Sequence, residues 1–141
     1  MIKANVQEAI RRIQAKRNPP VSEEADLQTA KDHFMKPHIE TLILARLSQG
    51  DSYGYEIAQF VKKTSGGRLQ IPEGAMYPTL YRMIGRGRIT SYQSASGKNQ
   101  LRVYYKITPA GRDRLNALLA AYEDTQAGRS AVLEAMGGGR P

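Results

Sequence analysis

The residues of this sequence best suited to chemistry are basic side chains in a stretch without any acid. From Gly74 to Arg112 the chain has no Asp or Glu. The basic residues of that stretch are Arg82, Arg86, Arg88, Lys98, Arg102, Lys106 and Arg112. Guanidinium and ammonium groups bind phosphate, whereas a plain solvated surface normally mixes charges of both signs. The pattern therefore favours nucleic-acid binding over a plain solvated surface.

The net charge of the chain is concentrated in the same region. The 141 residues carry 21 Lys and Arg against 13 Asp and Glu, a net charge of +8. Residues 36–110 hold eleven basic and four acidic residues, whereas residues 1–35 contribute +1 and residues 111–141 contribute zero. This length predicts one domain with appendages, and the charge places the anionic partner against its middle part.

Several function classes are disfavoured by residues that the sequence lacks. Zero cysteines exclude disulfides and Cys-ligated zinc, and fit a cytoplasmic protein. The longest apolar stretch, from Ile39 to Leu47, is far shorter than the roughly 20 residues of a membrane span. No P-loop, nucleophile elbow or S-x-x-K motif occurs, so we expect no enzyme and no cofactor. His33 and His38 flank a proline at poor ligand spacing, so we expect no metal site.

The two ends of the chain predict helical appendages. Residues 1–35 predict an N-terminal extension of two helices, of which the first stops at Asn18-Pro19-Pro20 and the second is capped by Ser22. Residues 109–136 predict a C-terminal helix capped by Thr108, with an apolar stripe that continues until Gly128 interrupts it. Residues 137–141 predict a flexible tail.

The middle part, residues 36–108, predicts three helices and then a hairpin. The helices are expected at about residues 39–47, 53–64 and 73–86, with Pro78 near the first turn of the third. The strands are expected at residues 89–93 and 101–107, around a polar turn at residues 94–100. In the second strand Leu101, Val103, Tyr105 and Ile107 alternate with Arg102, Tyr104 and Lys106, which predicts one apolar and one basic, aromatic face.

Three helices, a hairpin and a local basic excess predict a winged helix-turn-helix, mostly α with a small β-hairpin, whose third helix enters the major groove. With Leu80 placed inward, the predicted reading face of that helix comprises Ala75, Pro78, Thr79, Arg82 and Arg86. Tyr77 and Tyr81 are expected on its flank, where a hydroxyl reaches a phosphate or the ring packs in the core. Arg82 is the best candidate for a base contact, with a phosphate contact as the alternative.

The hairpin predicts a wing that clamps the DNA backbone. Lys98 at its tip is expected near the minor groove or adjacent phosphates, and Arg102 and Lys106 are expected at phosphates. Tyr104 between them is expected to shield the strand pair rather than to contact DNA.

Three motifs resemble the PadR family of bacterial transcriptional regulators, in its small type with a single C-terminal helix. They are Asp51-Ser52-Tyr53-Gly54-Tyr55-Glu56-Ile57, then Glu73-Gly74-Ala75-Met76-Tyr77-Pro78-Thr79-Leu80-Tyr81-Arg82-Met83, then Tyr104-Tyr105-Lys106-Ile107-Thr108-Pro109-Ala110-Gly111-Arg112. The resemblance covers residues 37 to about 125. Ala75 and Met76 depart from the hydroxyl residue and leucine that the family usually has there, and the chain lacks the tryptophan with which some members sandwich drugs.

The resemblance implies a homodimeric repressor that binds a palindromic operator and is released by a small, aromatic or drug-like effector. It also implies dimer contacts through the first helix of the winged domain and the last helix. The apolar residues that such contacts would use are Ile39, Leu42, Ile43, Leu115, Leu118, Leu119 and Tyr122. From the residues alone, pairing of these two helices within one chain is the alternative.

The sequence therefore predicts a sequence-specific DNA-binding transcriptional regulator. A winged-helix module that binds an acidic protein or RNA through its basic face is the alternative. Selectivity for one operator sequence distinguishes the two hypotheses, because charge attraction alone does not discriminate between sequences.

Overall fold

The computed structural model describes residues 8–11, 23–96 and 100–137. The chain divides into two compact units, Met1–Phe34 and Met35–Pro141. In the first unit residues 8–11 are helical, and helix α1 spans Glu23–Met35, so that its last residue belongs to the second unit. Within α1 the Gln28 side chain donates a 2.9 Å hydrogen bond to Asp32 one turn later. The predicted cap Ser22 and the rest of the predicted opening helix lie outside the described residues.

The second unit has the element order of a winged helix-turn-helix, as the sequence predicts. Its elements are a 3₁₀ turn Lys36–His38, α2 Ile39–Leu47, β1 Ser52–Tyr53, α3 Gly54–Thr64, α4 Glu73–Gly85, β2 Ile89–Ser96, β3 Gln100–Ile107 and α5 Pro109–Glu134. The short strand β1 was not predicted, because two residues are too few to produce a period-two pattern.

The three strands form one antiparallel sheet in the order β1-β3-β2. The hairpin register pairs Ile89 with Ile107 at its root and Ser96 with Gln100 near its tip. Residues 94–96 and Gln100, predicted as turn, are therefore strand residues. The apolar residues at the root of the hairpin fix the register. The backbone hydrogen bonds then continue toward the tip, although the side chains there are polar.

The buried core joins α2, α3, α4, the root of the hairpin and the start of α5. Its apolar residues are Met35, Ile39, Ile43, Leu44, Leu47, Ile57, Val61, Ile71, Met76, Leu80, Met83, Ile89, Tyr105, Ile107 and Leu115. Ile39, Ile43 and Leu115 were expected at a dimer interface, but these three side chains are buried within one chain. Helix α2 and the start of α5 pack against each other there, which is the alternative that the sequence left open.

The two outer residues of the predicted apolar strand face also differ from expectation. Tyr105 and Ile107 are buried, whereas Leu101 and Val103 are exposed. The hairpin extends beyond the helices that cover its root. Near the tip, the side chains on the apolar face of β3 therefore have no core to pack against.

Helix α5 begins at a tightly constrained junction. The Thr108 side chain accepts a 3.0 Å hydrogen bond from the Gly111 backbone N–H, which confirms the predicted cap. A Cβ atom on Gly111 would overlap the Arg88 carbonyl oxygen and lie 2.8 Å from Ile107 Cγ1. The helix then continues through Gly128 to Glu134, so the predicted interruption is wrong. One glycine costs a helix about 1 kcal/mol relative to alanine, which does not end a long one.

Candidate nucleic-acid interface

Helix α4 presents a face to solvent that is rotated from the predicted one. Met76, Thr79, Leu80 and Met83 are its buried residues. At 100° per residue their mean direction lies roughly 50° from Leu80, which the sequence argument had placed at the centre of the inner face. The outward face therefore centres on Tyr77, Pro78 and Tyr81, together with the exposed glycines at positions 74 and 85.

Two residues of the predicted reading face point inward, which corrects that prediction. Thr79 is only 6% exposed, and its hydroxyl donates a 2.7 Å hydrogen bond to the Ala75 carbonyl. Ala75 itself is half-buried. The Thr79 hydroxyl also accepts a 3.2 Å bond from Arg82 Nη2, so it holds the arginine instead of a base.

Pro78 lies in the second turn of α4, not near its first turn as expected. The helix begins at Glu73, so Pro78 is its sixth residue, and the carbonyl of Gly74 loses its amide partner. Gly74 is exposed and has open space around its Cα, so solvent can reach this part of the helix. The helix therefore tolerates a proline at the centre of its outward face.

The two tyrosines of the outward face have different surroundings. Tyr81 is 80% exposed and is the most exposed large side chain of α4. Tyr77 is exposed too, but its ring covers the start of α3: a Cβ atom on Gly54 would lie 2.9 Å from the Tyr77 hydroxyl oxygen. A phenol at this position offers a hydroxyl to a phosphate while its ring stays packed.

Arg82 and Arg86 extend from the flank of α4. Both are exposed, and both line a hollow between α4 and the 3₁₀ turn that contains Lys36. Arg86 is the C-cap residue of α4 and follows Arg82 by one turn.

On the wing, the basic and aromatic face of β3 is built as the alternation predicts. The Arg102 guanidinium lies 4.4 Å from the centre of the Tyr53 ring, and its Nη2 donates a 3.4 Å bond to Gln100. Tyr104 packs between Tyr53 and Tyr92, at ring-centre distances of 5.6 and 5.7 Å. Lys106 is exposed. Lys98 at the predicted tip lies outside the described residues.

The chain matches the model of the family described as "Transcriptional regulator PadR-like family" over residues 43–117, more than half its length. It belongs to this family. Two solved structures are similar over most of both chains. A transcriptional regulator from Clostridium thermocellum is 30% identical, with a TM-score of 0.65 over 70% of this chain and 96% of the other. A PadR family regulator from Clostridium difficile is 33% identical, with a TM-score of 0.61 over 68% and 98%.

A third similar structure is that of Bacillus subtilis PadR in complex with operator DNA. It is 26% identical to this chain, with a TM-score of 0.53 over 57% of this chain and 46% of that one. The matched family model, residues 43–117, includes α4 and the whole hairpin. The outward face of α4 and the wing therefore lie within the PadR-like part of the chain.

The PadR-like domain also contains interface candidates that the sequence argument missed. Tyr53, Tyr55 and Tyr92 join Tyr104 in a cluster of rings on the sheet face that looks away from the core. The Tyr92 hydroxyl donates a 2.6 Å hydrogen bond to Asp51, which raises the pKa of Tyr92 above its ordinary value. The Tyr53-Gly54-Tyr55 motif was the sequence signal that could have indicated this cluster. The contribution of Tyr92 could not be predicted, because its pairing with Tyr104 depends on the hairpin register.

One basic residue of the acid-free stretch faces the interior of the PadR-like domain. Arg88 Nη1 bonds Glu40 Oε1 of α2, and both side chains are about one-fifth exposed. Arg114 Nε of α5 lies 3.7 Å from the same carboxylate oxygen. Glu40 therefore links α2 to the turn before β2 and to α5 through its two arginines. Arg88 neutralises this carboxylate within the domain and is not part of the outer basic surface.

Residues 119–134 of α5, called its second half below, carry exposed apolar side chains that fit an interface. Leu119, Tyr122, Val132 and Leu133 are exposed, whereas Leu118 and Leu42 are half-buried against the core. Of the seven predicted dimer residues, Leu119 and Tyr122 thus keep the largest free surface. Among the described residues no helix is long and apolar enough to cross a bilayer, and no group of three His, Asp or Glu side chains has metal-binding geometry.

Proposed function

We propose that this PadR-like chain regulates transcription by binding operator DNA as a homodimer. The observation that carries the proposal is the outward face of α4, Tyr77, Pro78 and Tyr81, set in a stretch without acidic residues in a chain of this family. The solved complex of Bacillus subtilis PadR with operator DNA, to which the chain is similar, supports it. In winged helix-turn-helix proteins this helix enters the major groove.

Each part of the surface has a role that its chemistry suggests. Tyr81 and Pro78 lie at the centre of the outward face and contact base edges and thymine methyl groups. Tyr77, Arg102 and Lys106 contact phosphates, and Lys98, which the sequence predicts at the wing tip, is assigned the same role. A base contact demands a fixed position, which a helix supplies, whereas phosphate neutralisation tolerates a mobile side chain.

The homodimer follows from the uncovered apolar stripe on α5, which a second copy of the same helix would bury. Two-fold symmetry then requires a palindromic operator. We further propose, from the family resemblance, that the dimer represses transcription and responds to a small aromatic effector. In vitro transcription from the bound promoter tests repression: added protein should lower transcript yield, and an increase would identify an activator.

The experiment that tests DNA recognition is affinity selection of fragmented genomic DNA on the purified protein, followed by sequencing. The proposal predicts enrichment of an inverted repeat with half-sites about 10 base pairs apart. Tyr81→Ala should reduce the enrichment, whereas Lys63→Ala at the exposed end of α3 should not. Uniform recovery of all fragments, combined with tight binding to RNA or to an acidic protein, would contradict the proposal and favour the interaction-module hypothesis.

A further inference from the structure

A hollow between the start of α2 and the end of α4 has a lining that no DNA-reading role requires. It measures about 500 Å³, including the part open to solvent. Its charged and hydroxyl-bearing lining residues are Lys36, Glu40, Thr79, Arg82, Arg86 and Arg88. Four cations and one carboxylate thus surround one concave site.

The charges around the hollow do not cancel. Glu40 is its single acidic residue, and Arg88 and Arg114 already pair with that carboxylate. Lys36, Arg82 and Arg86 therefore carry positive charge that no acid of the lining neutralises. Three cations that converge on one concavity repel one another unless an anion binds between them.

Arg82, one of the three cations, is hydrogen-bonded within its own helix. Thr79 accepts a 3.2 Å hydrogen bond from Arg82 Nη2, and the same hydroxyl donates to the Ala75 carbonyl. Arg86 lies one turn further along the same side of α4. A guanidinium fork fixed in this way is pre-organised for the tetrahedral oxygens of a phosphate, and a neighbouring lysine adds a point charge.

The position of the hollow separates it from the reading of bases. The base contacts proposed above come from the centre of the outward face of α4, at Pro78 and Tyr81. Arg82 and Arg86 instead extend from the flank of α4 into the hollow, in its last turn and at its C-cap. Arg82, which the sequence predicted as a base contact, is therefore better suited to a phosphate.

We propose that Lys36, Arg82 and Arg86 form a binding site for a phosphate-type oxyanion. A backbone phosphate of operator DNA and a free phosphate or phosphorylated metabolite share this chemistry. The first source rests on the proposed DNA binding, whereas the second does not depend on it.

The first experiment uses inorganic phosphate as the probe, without DNA. Phosphate is titrated against the full chain at constant ionic strength, with chloride as the compensating anion, and binding is followed by amide chemical shifts. We expect saturable shifts around Lys36 and Arg86, and affinity about tenfold lower in each of Lys36→Gln, Arg82→Gln and Arg86→Gln. Lys63→Gln on α3, outside the hollow, is the charge-matched control, and its affinity should equal that of the parent chain.

The second experiment distinguishes the two sources. Operator duplexes that carry one neutral methylphosphonate at successive positions are compared in binding to the parent chain and to Lys36→Gln. If a methylphosphonate at one position per half-site weakens DNA binding by the parent chain but not by Lys36→Gln, the site holds a DNA phosphate. If phosphate titration succeeds and no position distinguishes the two proteins, the site serves a free anion.

The outcome that overturns the proposal is distinct from failure of DNA binding. The site would be excluded if phosphate binding is absent, or is equal in the three variants and in Lys63→Gln, and if the methylphosphonate profile of Lys36→Gln is the same as that of the parent chain. Phosphate binding in a chain that selects no DNA sequence would instead contradict the proposed function and leave this site in place. Lys36 and Arg86 are exposed, so their variants are expected to fold, and unchanged melting temperatures would verify this.

Discussion

Helix α5, divided before Leu119 into a first half of residues 109–118 and a longer second half of residues 119–134, has apolar side chains in both parts but opposite surroundings. In the first half Gly111 touches the backbone before β2, Leu115 is buried, and Arg114 reaches Glu40. In the second half Leu119 is 44% exposed and Leu133 is 62% exposed. The first half is therefore a structural part of the winged domain, whereas the second half projects apolar surface that the single chain does not cover.

This difference shows that an apolar stripe identifies a buried face but not what buries it. Leu115 and Leu119 lie one turn apart on one helix, and the sequence argument assigned both to a dimer interface. Only the contacts with α2 distinguish them. The Tyr122 ring, which meets His38 edge-on at 6.2 Å between ring centres, lies at the transition. We expect perturbations of the first half to change folding and perturbations of the second half to change association.

The largest effect is expected from Gly111→Ala. The added methyl group overlaps the Arg88 carbonyl oxygen and crowds Ile107, and backbone atoms at a paired strand end have little room to move. We expect a loss of about 3 kcal/mol or more in the free energy of unfolding, measured by urea denaturation. A loss below about 1 kcal/mol would contradict the tight junction.

A comparable effect, on association instead of folding, is expected from Leu119→Glu combined with Leu133→Glu. Both side chains are exposed in the single chain, so the protomer should fold normally, while the buried charges disfavour the dimer. We expect the dimer dissociation constant to rise at least 100-fold, which is about 3 kcal/mol, as measured by sedimentation equilibrium. An unchanged dimer mass would show that the second half of α5 is not the interface.

A smaller effect is expected where Glu40 links α2, Arg88 and Arg114. Glu40→Gln removes the charge that balances two half-buried arginines, and we expect a loss of about 1–3 kcal/mol in unfolding free energy. The exposed Glu123→Gln is the matched control and should lose less than about 0.5 kcal/mol. Equal losses in both variants would mean that the two ion pairs of Glu40 contribute nothing to the free energy of unfolding.

The smallest effect is a gain. Gly128 lies inside α5 in open space, so Gly128→Ala should raise the unfolding free energy by about 0.5–1 kcal/mol. The measurement is thermal unfolding of the two proteins at one concentration, since dimerisation makes the melting temperature depend on concentration. Destabilisation by this alanine would mean that the second half of α5 needs the glycine for close packing against a partner.

Local signals predicted the parts of the fold that depend on local chemistry. The Thr108-Pro109 start of α5, the end of α3 before the glycines, and the period change at residue 89 were visible in the sequence. The winged helix followed from their order. The strand β1 was not visible, because Ser52 and Tyr53 are extended through pairing with Tyr105 and Tyr104, about fifty positions away.

The candidate interface was predicted in its location and less well in its detail. The acid-free stretch identified α4 and the wing, but the rotation of α4 depends on how α2 and β2 pack against it. Thr79 was expected outward because Leu80 was placed at the centre of the inner face. Its hydroxyl is satisfied inside the helix by the carbonyl four residues earlier, which allows the side chain to be buried. The ion pair of Arg88 with Glu40 was not visible in the sequence, because the two residues lie 48 positions apart.

The central claim is a dimer that presents two α4 helices to successive major grooves, and the distance between those helices tests it most directly. Since the chain has no cysteine, Glu73→Cys and Gly85→Cys allow single spin labels at the two exposed ends of α4. Pulsed dipolar spectroscopy on the protein bound to its selected operator should give distances that bracket about 34–36 Å, one turn of DNA. Absence of dipolar coupling, or two distances that both lie far from one DNA turn, would contradict the account.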